Sequence, residues 1–164
     1  LKNFQKPSLD MPENYQFDKT DFRIINLLLQ DANQPYSSVA EKAFVSNGTV
    51  HVRMEKLKRL GVVQGATLKV DYHKLGWDIT AFIGIYLDKS SLYEEAVEAL
   101  EAIPEVVNLH YTTGAYSIFA KIICKDTNHL RSVLNEKIQT VPGVQRTETF
   151  ISLEERLNRP LLLQ

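Results

Sequence analysis

The chain has 164 residues, 44% hydrophobic and 24% charged with a net charge of −1, the make-up of an ordinary globular protein of one large or two small domains. A lone cysteine, Cys124, excludes an intrachain disulfide, and four scattered histidines (His51, His73, His110, His129) lack ligand spacing, so no metal site and no cofactor is expected. No run approaches the length of an apolar membrane span and no signal-peptide plan opens the chain, which predicts a soluble cytoplasmic protein with no membrane partner.

Residues 1–16 are polar, contain Pro7 and Pro12 and show no period, so they read as a flexible arm. A first helix opens at Asp18. Asp18 and Asp21 take the cap and N3 positions, Phe17 and Phe22 are spaced as a hydrophobic staple, and Phe22, Ile25, Leu28 and Leu29 share a face. Asn33, Gln34 and Pro35 break it. A second helix spans Ser37 to about Ala43, and a third Asn47 to Leu60, started by a Ser46 cap and stopped by Gly61. In the third, Val50, Met54 and Leu57 repeat at helical spacing as a buried stripe. VVQGATLKVDY reads as two short extended segments around Gly65, a hairpin beside the helices, and LGWD closes the unit at residue 78. Three helices and a hairpin describe a winged helix-turn-helix over residues 17–78.

Charge is placed unevenly. Residues 46–60 carry Arg53, Lys56, Lys58 and Arg59 against Glu55 alone, whereas residues 79–164 hold eight basic and eleven acidic side chains. A basic helix on an acidic body suits DNA binding by one domain and another task by the other; a merely solvated helix face is the plain alternative. In a helix-turn-helix the N-terminal half of the second helix meets base edges. Asn47, Thr49 and His51 are therefore expected at base edges, and Tyr36, Ser37, Arg53 and Lys56 near phosphates, with Ser46 in the same interface. Arg53 has a second reading, as an internal brace.

The second half has a different grammar. Residues 80–88 alternate as a strand, and Ser91 with Glu94 predicts a capping box for a helix that stops at Pro104. VVNLHYT is a strand, Gly114 a turn and YSIFAKIIC a strand. Asp126 caps a helix through Leu130, Val133, Leu134 and Ile138, and VQRTETFISL is the last strand. Ile103-Pro104-Glu105-Val106 recurs as Val141-Pro142-Gly143-Val144, an offset of 142 − 104 = 38 residues. Two tandem βαβ units give a ferredoxin-like βαββαβ domain over residues 79–155, followed by a tail at 156–164, and the whole chain is α+β. Ile83, Ile85, Leu87, Ile118 and Ile122 alternate on strands that one pair of helices must cover, so the exposed sheet face calls for dimerisation.

Catalytic constellations are missing from the sequence: it has no G-x-S-x-G, phosphate loop or dinucleotide fingerprint, and Glu94, Glu95, Glu98 and Glu101 read as a solvated helix face. An enzyme is not expected. HYTTGAYSIF places Thr112, Thr113, Gly114 and Ser117 around a turn, where hydroxyls and free amides can hold a small carboxylate and carbonyls an ammonium group. A hairpin with ordinary turn residues is the plain alternative.

DKTDFRIINLLLQDA, SSVAEKAFVSNGTVHVRMEKLKRLGVVQGATLKVDYHKLGWD, YTTGAYSIF and TETFISL together resemble the Lrp/AsnC family of feast/famine transcriptional regulators, over residues 17 to about 155, and its asparagine-responsive branch more than its leucine-responsive one. The resemblance implies a sequence-specific regulator of amino-acid metabolism genes that binds double-stranded DNA through its first domain. It also implies a homodimer assembling into a higher ring, an octamer, with an amino-acid effector held between dimers. Thr112, Thr113, Gly114, Ala115, Tyr116 and Ser117 would then grip the effector, and Thr147 and Thr149 of a neighbouring copy would close the pocket. Asparagine, or another neutral amino acid, is the expected effector. Gln34 departs from the arginine of many relatives, and Ala115 and Ser117 from their acidic residues. The rival reading is an amino-acid-binding regulatory subunit of an enzyme, which leaves Asn47 to Arg59 unexplained.

Overall fold

The computed structural model describes residues 15–164, so the expected arm lies outside the described residues except for its last two. The chain divides into two units. The first ends at Leu68 and takes back Asn158–Gln164; the second is Lys69–Leu157. This moves the expected boundary from residue 78 to 68 and assigns most of the expected tail to the first unit.

The first unit packs three helices, α1 (Lys19–Gln30), α2 (Tyr36–Ala43) and α3 (Asn47–Arg59). Asp18 caps α1 by accepting from the amides of Thr20 (2.8 Å) and Asp21 (3.0 Å), and Asp21 returns the bond to the Asp18 amide, a complete capping box. Phe17 and Phe22 stack with centroids 6.4 Å apart, as the staple spacing predicts. The buried face of α1 runs through Asp21 and Ile24, and Leu29 is 42% exposed, which corrects the expected stripe. Ile24 meets Val39, Ala40, Ala43, Val50, Met54 and Leu57 in the core.

Helices α2 and α3 end in the same hydrogen-bonded motif. The amide of Val62 reaches Leu57 O (3.0 Å) and that of Gly61 reaches Lys58 O (3.0 Å), with Gly61 at φ +71°. At α2 the amide of Val45 reaches Ala40 O (3.0 Å) and that of Phe44 reaches Glu41 O (3.2 Å), but the left-handed residue is Phe44, at φ 59° and ψ 45°. Glycine takes that conformation freely, whereas a side chain costs about 1–2 kcal/mol. The expected hairpin around Gly65 is not formed. Residues 64–71 carry no strand and are exposed. At the far end of the chain, the Asn26 carboxamide donates to Leu163 O and accepts from the Leu163 amide, both at 2.9 Å, and so clips the terminal segment onto α1.

The second unit is β1 (Ile79–Leu87), α4 (Tyr93–Glu101), β2 (Val106–Tyr111), β3 (Ile118–Cys124), α5 (Thr127–Ser132) and β4 (Val144–Ile151). Its antiparallel sheet runs β2-β3-β1-β4, the order two tandem βαβ units produce. The Ser91 capping box is absent. A 3-10 turn, Ser90–Leu92, leads into α4, and no side chain caps it. α5 continues as a π-helical turn, Val133–Ile138, whose end is marked by the Gln139 amide bonding Leu134 O five residues back (2.9 Å).

One face of the sheet packs Ala81, Ile83, Ile85, Ile118, Ala120 and Ile122 against Ala96, Leu100, Leu130, Val133 and Ile138. The isoleucines expected on the face in need of a partner therefore lie under the helices. Strand alternation puts aromatic side chains on the other face: Phe82 and Phe119 stack at 5.9 Å, with Phe150 6.5 Å from Phe119. Cys124 is buried, and its thiol is pushed up to about 11, chiefly by burial. Beside it Glu105 accepts from Lys137 Nζ (2.8 and 2.9 Å) and pairs with His129 Nε2 (3.1 Å). Burial raises the Glu105 carboxyl, but these bonds and a backbone amide outweigh it and hold it below the usual range. His129 Nδ1 accepts from the Lys125 amide (3.1 Å), so the Nε2–H tautomer faces Glu105. Among the described residues no helix is long and apolar enough to cross a membrane.

Candidate nucleic-acid interface and effector site

Ser46 starts α3 by accepting from the Thr49 amide (3.0 Å), and its hydroxyl also meets the Thr49 hydroxyl at 2.8 Å. Val50, Met54 and Leu57 are buried, as their spacing predicts. Ser46, Asn47 and His51 are exposed, and Thr49 is half-buried with its hydroxyl committed to the cap. The Tyr36 ring, at the start of α2, packs edge-on against His51 at 4.8 Å, and exposed Ser37 follows it. The first turn of α3 holds no acidic residue and its last turn holds Lys56, Lys58 and Arg59. Val52, 69% exposed, is an outward apolar residue absent from the expected set; with His51, Glu55, Lys56 and Arg59 it lines a surface depression. A β-branched residue placed opposite the Val50 stripe is the signal that could have found it.

Arg53 and Lys56 are engaged within the unit. Arg53 Nη1 donates to Asp18 Oδ2 (2.7 Å) and to Asp21 Oδ1 (2.9 Å), and Asp21 is fully buried. Tyr15 donates to the other oxygen of Asp21 at 2.7 Å, and Lys56 Nζ lies 3.7 Å over the Tyr15 ring. The hydrogen bond from Arg53 is the main cause holding the Asp18 carboxyl below its usual range. For Asp21 burial pushes upward, yet bonds from Tyr15, the Asp18 amide and Arg53 outweigh it and the net shift is downward. This is the bracing arrangement.

The second candidate site is the β2–β3 turn. Thr112 donates its hydroxyl to Tyr116 O and its amide to Ser117 O (3.2 Å), and the Ser117 amide donates to Ile85 O (2.9 Å). Thr113, Gly114 and Ala115 are left exposed. A Cβ on Gly114 would meet nothing within 4 Å, so a side chain there could block only a ligand or a neighbouring copy. Tyr116 turns away onto the open sheet face and lies flat over Gly84, where a Cβ would fall 2.5 Å from its ring. Its hydroxyl donates to Glu148 Oε2 (2.8 Å), and Tyr86 donates to Glu148 Oε1 (3.0 Å). Both bonds hold the Glu148 carboxyl below its usual range, and the Glu148 bond is the first cause that raises the Tyr116 phenol. Arg146 stacks 3.8 Å over the Tyr86 ring. Neither Gly84 nor this tyrosine–carboxylate network was expected from the sequence.

Thr147 and Thr149 pair with Ile85 and Ile83 across β4 and β1, so they share the helix-covered face, and Gln139 Nε2 reaches Thr147 Oγ1 at 3.3 Å. Strand β1 stands between β4 and β3, which puts these threonines about 10 Å from the strand that leaves the turn. One copy of the chain does not bring the two halves of the expected pocket together.

Both parts of the chain match known families. Residues 17–64 match the winged helix-turn-helix DNA-binding family and residues 80–162 the Lrp/AsnC ligand binding domain. The chain is 41% identical over 147 residues to the regulatory protein AsnC of Haemophilus influenzae, covering 90% of this chain and 98% of that one. It is 42% identical over 149 residues to AsnC of Escherichia coli K12, covering 91% and 98%. The solved structure of Escherichia coli AsnC superposes with a TM-score of 0.85 at 40% identity, covering 91% of this chain and all of that one. Similarity this close, carried through both units in the same order, makes the chain a member of the Lrp/AsnC family of DNA-binding transcriptional regulators.

Proposed function

We propose that the protein is a cytoplasmic, non-enzymatic regulator that reads operator DNA with the N-terminal half of α3 and responds to a neutral amino acid, asparagine first. The observation that carries this reading is the surface of α3: Ser46, Asn47 and His51 are exposed at its capped N-terminus, and Val52 and Arg59 extend the same exposed surface. Asn47, His51 and Val52 face base edges, Val52 being suited to a thymine methyl; Tyr36, Ser37 and Ser46 lie toward the backbone. Thr49 fixes the cap from within the helix. Arg53 acts as a brace, and Lys56 contacts phosphate only by leaving the Tyr15 ring.

The effector occupies the exposed turn Thr112–Ser117 of one copy, against Thr147 and Thr149 of another. The gap of about 10 Å within one chain and the exposure of Thr113, Gly114 and Ala115 support that division. The uncovered aromatic sheet face supports a dimer at minimum, and the resemblance to the family supports a higher ring such as an octamer. The likeness of TTGAYS to the asparagine-responsive branch supports asparagine; Ala115 leaves the effector's ammonium group to carbonyls rather than to an acid.

Footprinting of the protein's own upstream region, with each amino acid titrated in turn, tests the whole reading. Protection should change with asparagine or another neutral amino acid, and calorimetry should give a matching affinity. Binding that no amino acid alters, with no heat on the assembled protein, removes the effector reading. Asn47→Ala with His51→Ala should weaken operator binding by about 10-fold or more and relax sequence preference, with an unchanged melting temperature.

A further inference from the structure

We infer that Phe44 and Arg23 form a second DNA grip beside the recognition helix, the ring lying on deoxyribose and the guanidinium meeting phosphate. This rests on α3 entering the major groove. The chain ends two helices with one motif, placing glycine at the left-handed position after α3 and phenylalanine at the same position after α2. The fold does not bury the ring in exchange, because Phe44 is 84% exposed. A bulky residue held in a strained conformation and turned to solvent points to a role outside the fold.

Its neighbours identify the occupant. Arg23 places its guanidinium 5.7 Å from the Phe44 ring centre and holds only a 3.4 Å bond to Ala43 O. Among the described residues no carboxylate pairs with Arg23. Four of its five N–H donors are left for a partner. Phe44 also lies two residues before Ser46, the cap of α3, so its backbone is within about 7 Å of the helix end that enters the groove. An apolar ring beside an uncompensated cation, next to a groove-reading helix, fits the sugar and phosphate of the flanking strand.

The full chain is tested on a duplex enriched from a random-sequence pool by the wild-type protein, with affinity measured over a salt series. Phe44→Gly should raise the melting temperature by about 5 °C and weaken binding about tenfold. Phe44→Ala, which keeps the left-handed strain but loses the ring, should lose the same affinity without that rise. Arg23→Ala should reduce the slope of log affinity against log salt by about 0.9, the loss of one phosphate contact. Wild-type affinity in Phe44→Gly overturns the proposal. So does a lower melting temperature in Phe44→Gly, which would assign the ring to the fold, or altered sedimentation of that variant without DNA, which would assign it to a second copy. The underlying α3 reading fails separately, if the Asn47 and His51 substitutions leave binding intact.

Discussion

Arg53→Ala should destabilise the N-terminal unit by roughly 3 kcal/mol, the usual cost of stranding one partner of a buried ion pair. Asp21 is fully buried, and the guanidinium is the only cation bonded to it among the described residues. Operator binding should fall with the folded fraction at the growth temperature and recover on cooling, which separates a brace from a phosphate contact. The effect has a pH signature. The Asp21 carboxyl is depressed in the fold, so its contribution is present above the unfolded value of about 3.9 and is lost as pH falls through the lower folded value. Wild-type stability should therefore decline below about pH 4. In Arg53→Ala the carboxyl loses its cation and rises from its wild-type position, so the gap to wild type should be widest near neutrality and narrow on acidification. Thermal melts followed by circular dichroism across that range check it; a constant gap would show that Asp21 is not the group involved.

Gly84→Ala should disrupt the second unit through a single methyl. The added carbon would fall 2.5 Å from the Tyr116 ring, so the ring must leave β1. Its departure breaks the hydroxyl bond to Glu148 and the contacts with Tyr86, Phe119 and Phe150, at about 1–3 kcal/mol for overpacking. Tyr116 is continuous with the exposed turn, so the proposed effector grip should loosen with it. Calorimetry should lose amino-acid binding while operator binding persists. With Tyr116→Ala already in place, Gly84→Ala should cost little further, since nothing is then left over Gly84 to collide with. If Gly84→Ala retains wild-type stability and effector affinity, the ring is not locked in this notch.

The sequence made legible those elements whose signals are local. Asp18, Ser46 and Asp126 announce helix starts through side chains that bond amides two or three residues on, and Gly61 announces an end; the structure has each. The βαβ repeat was legible because the offset of 38 residues recurs in Pro104 and Pro142 at matching corners. What stayed hidden depends on distant partners. Ser91 has the right spacing for a cap, yet the chain enters α4 through a 3-10 turn that leaves its hydroxyl unused. Alternation on β1 identified two faces but not which one the helices cover, because isoleucines and aromatics are equally at home on a pleat. Arg53 could be read as a contact or a brace until Asp18 and Asp21, more than thirty residues away, were brought beside it. The turn Thr112–Ser117 was visible as a turn, but not that Tyr116 leaves it for Gly84.

The Asn26 clip has a practical corollary for handling this protein. Asn158–Gln164 groups with the first unit, so the polypeptide leaves that unit near residue 68 and returns to it near 158. A label, affinity handle or fluorescent fusion placed within residues 158–164 would sit on the DNA-reading unit, beside the backbone that Asn26 grips on α1. Assays of operator binding made with such a fusion would report on the handle as well as on the helix.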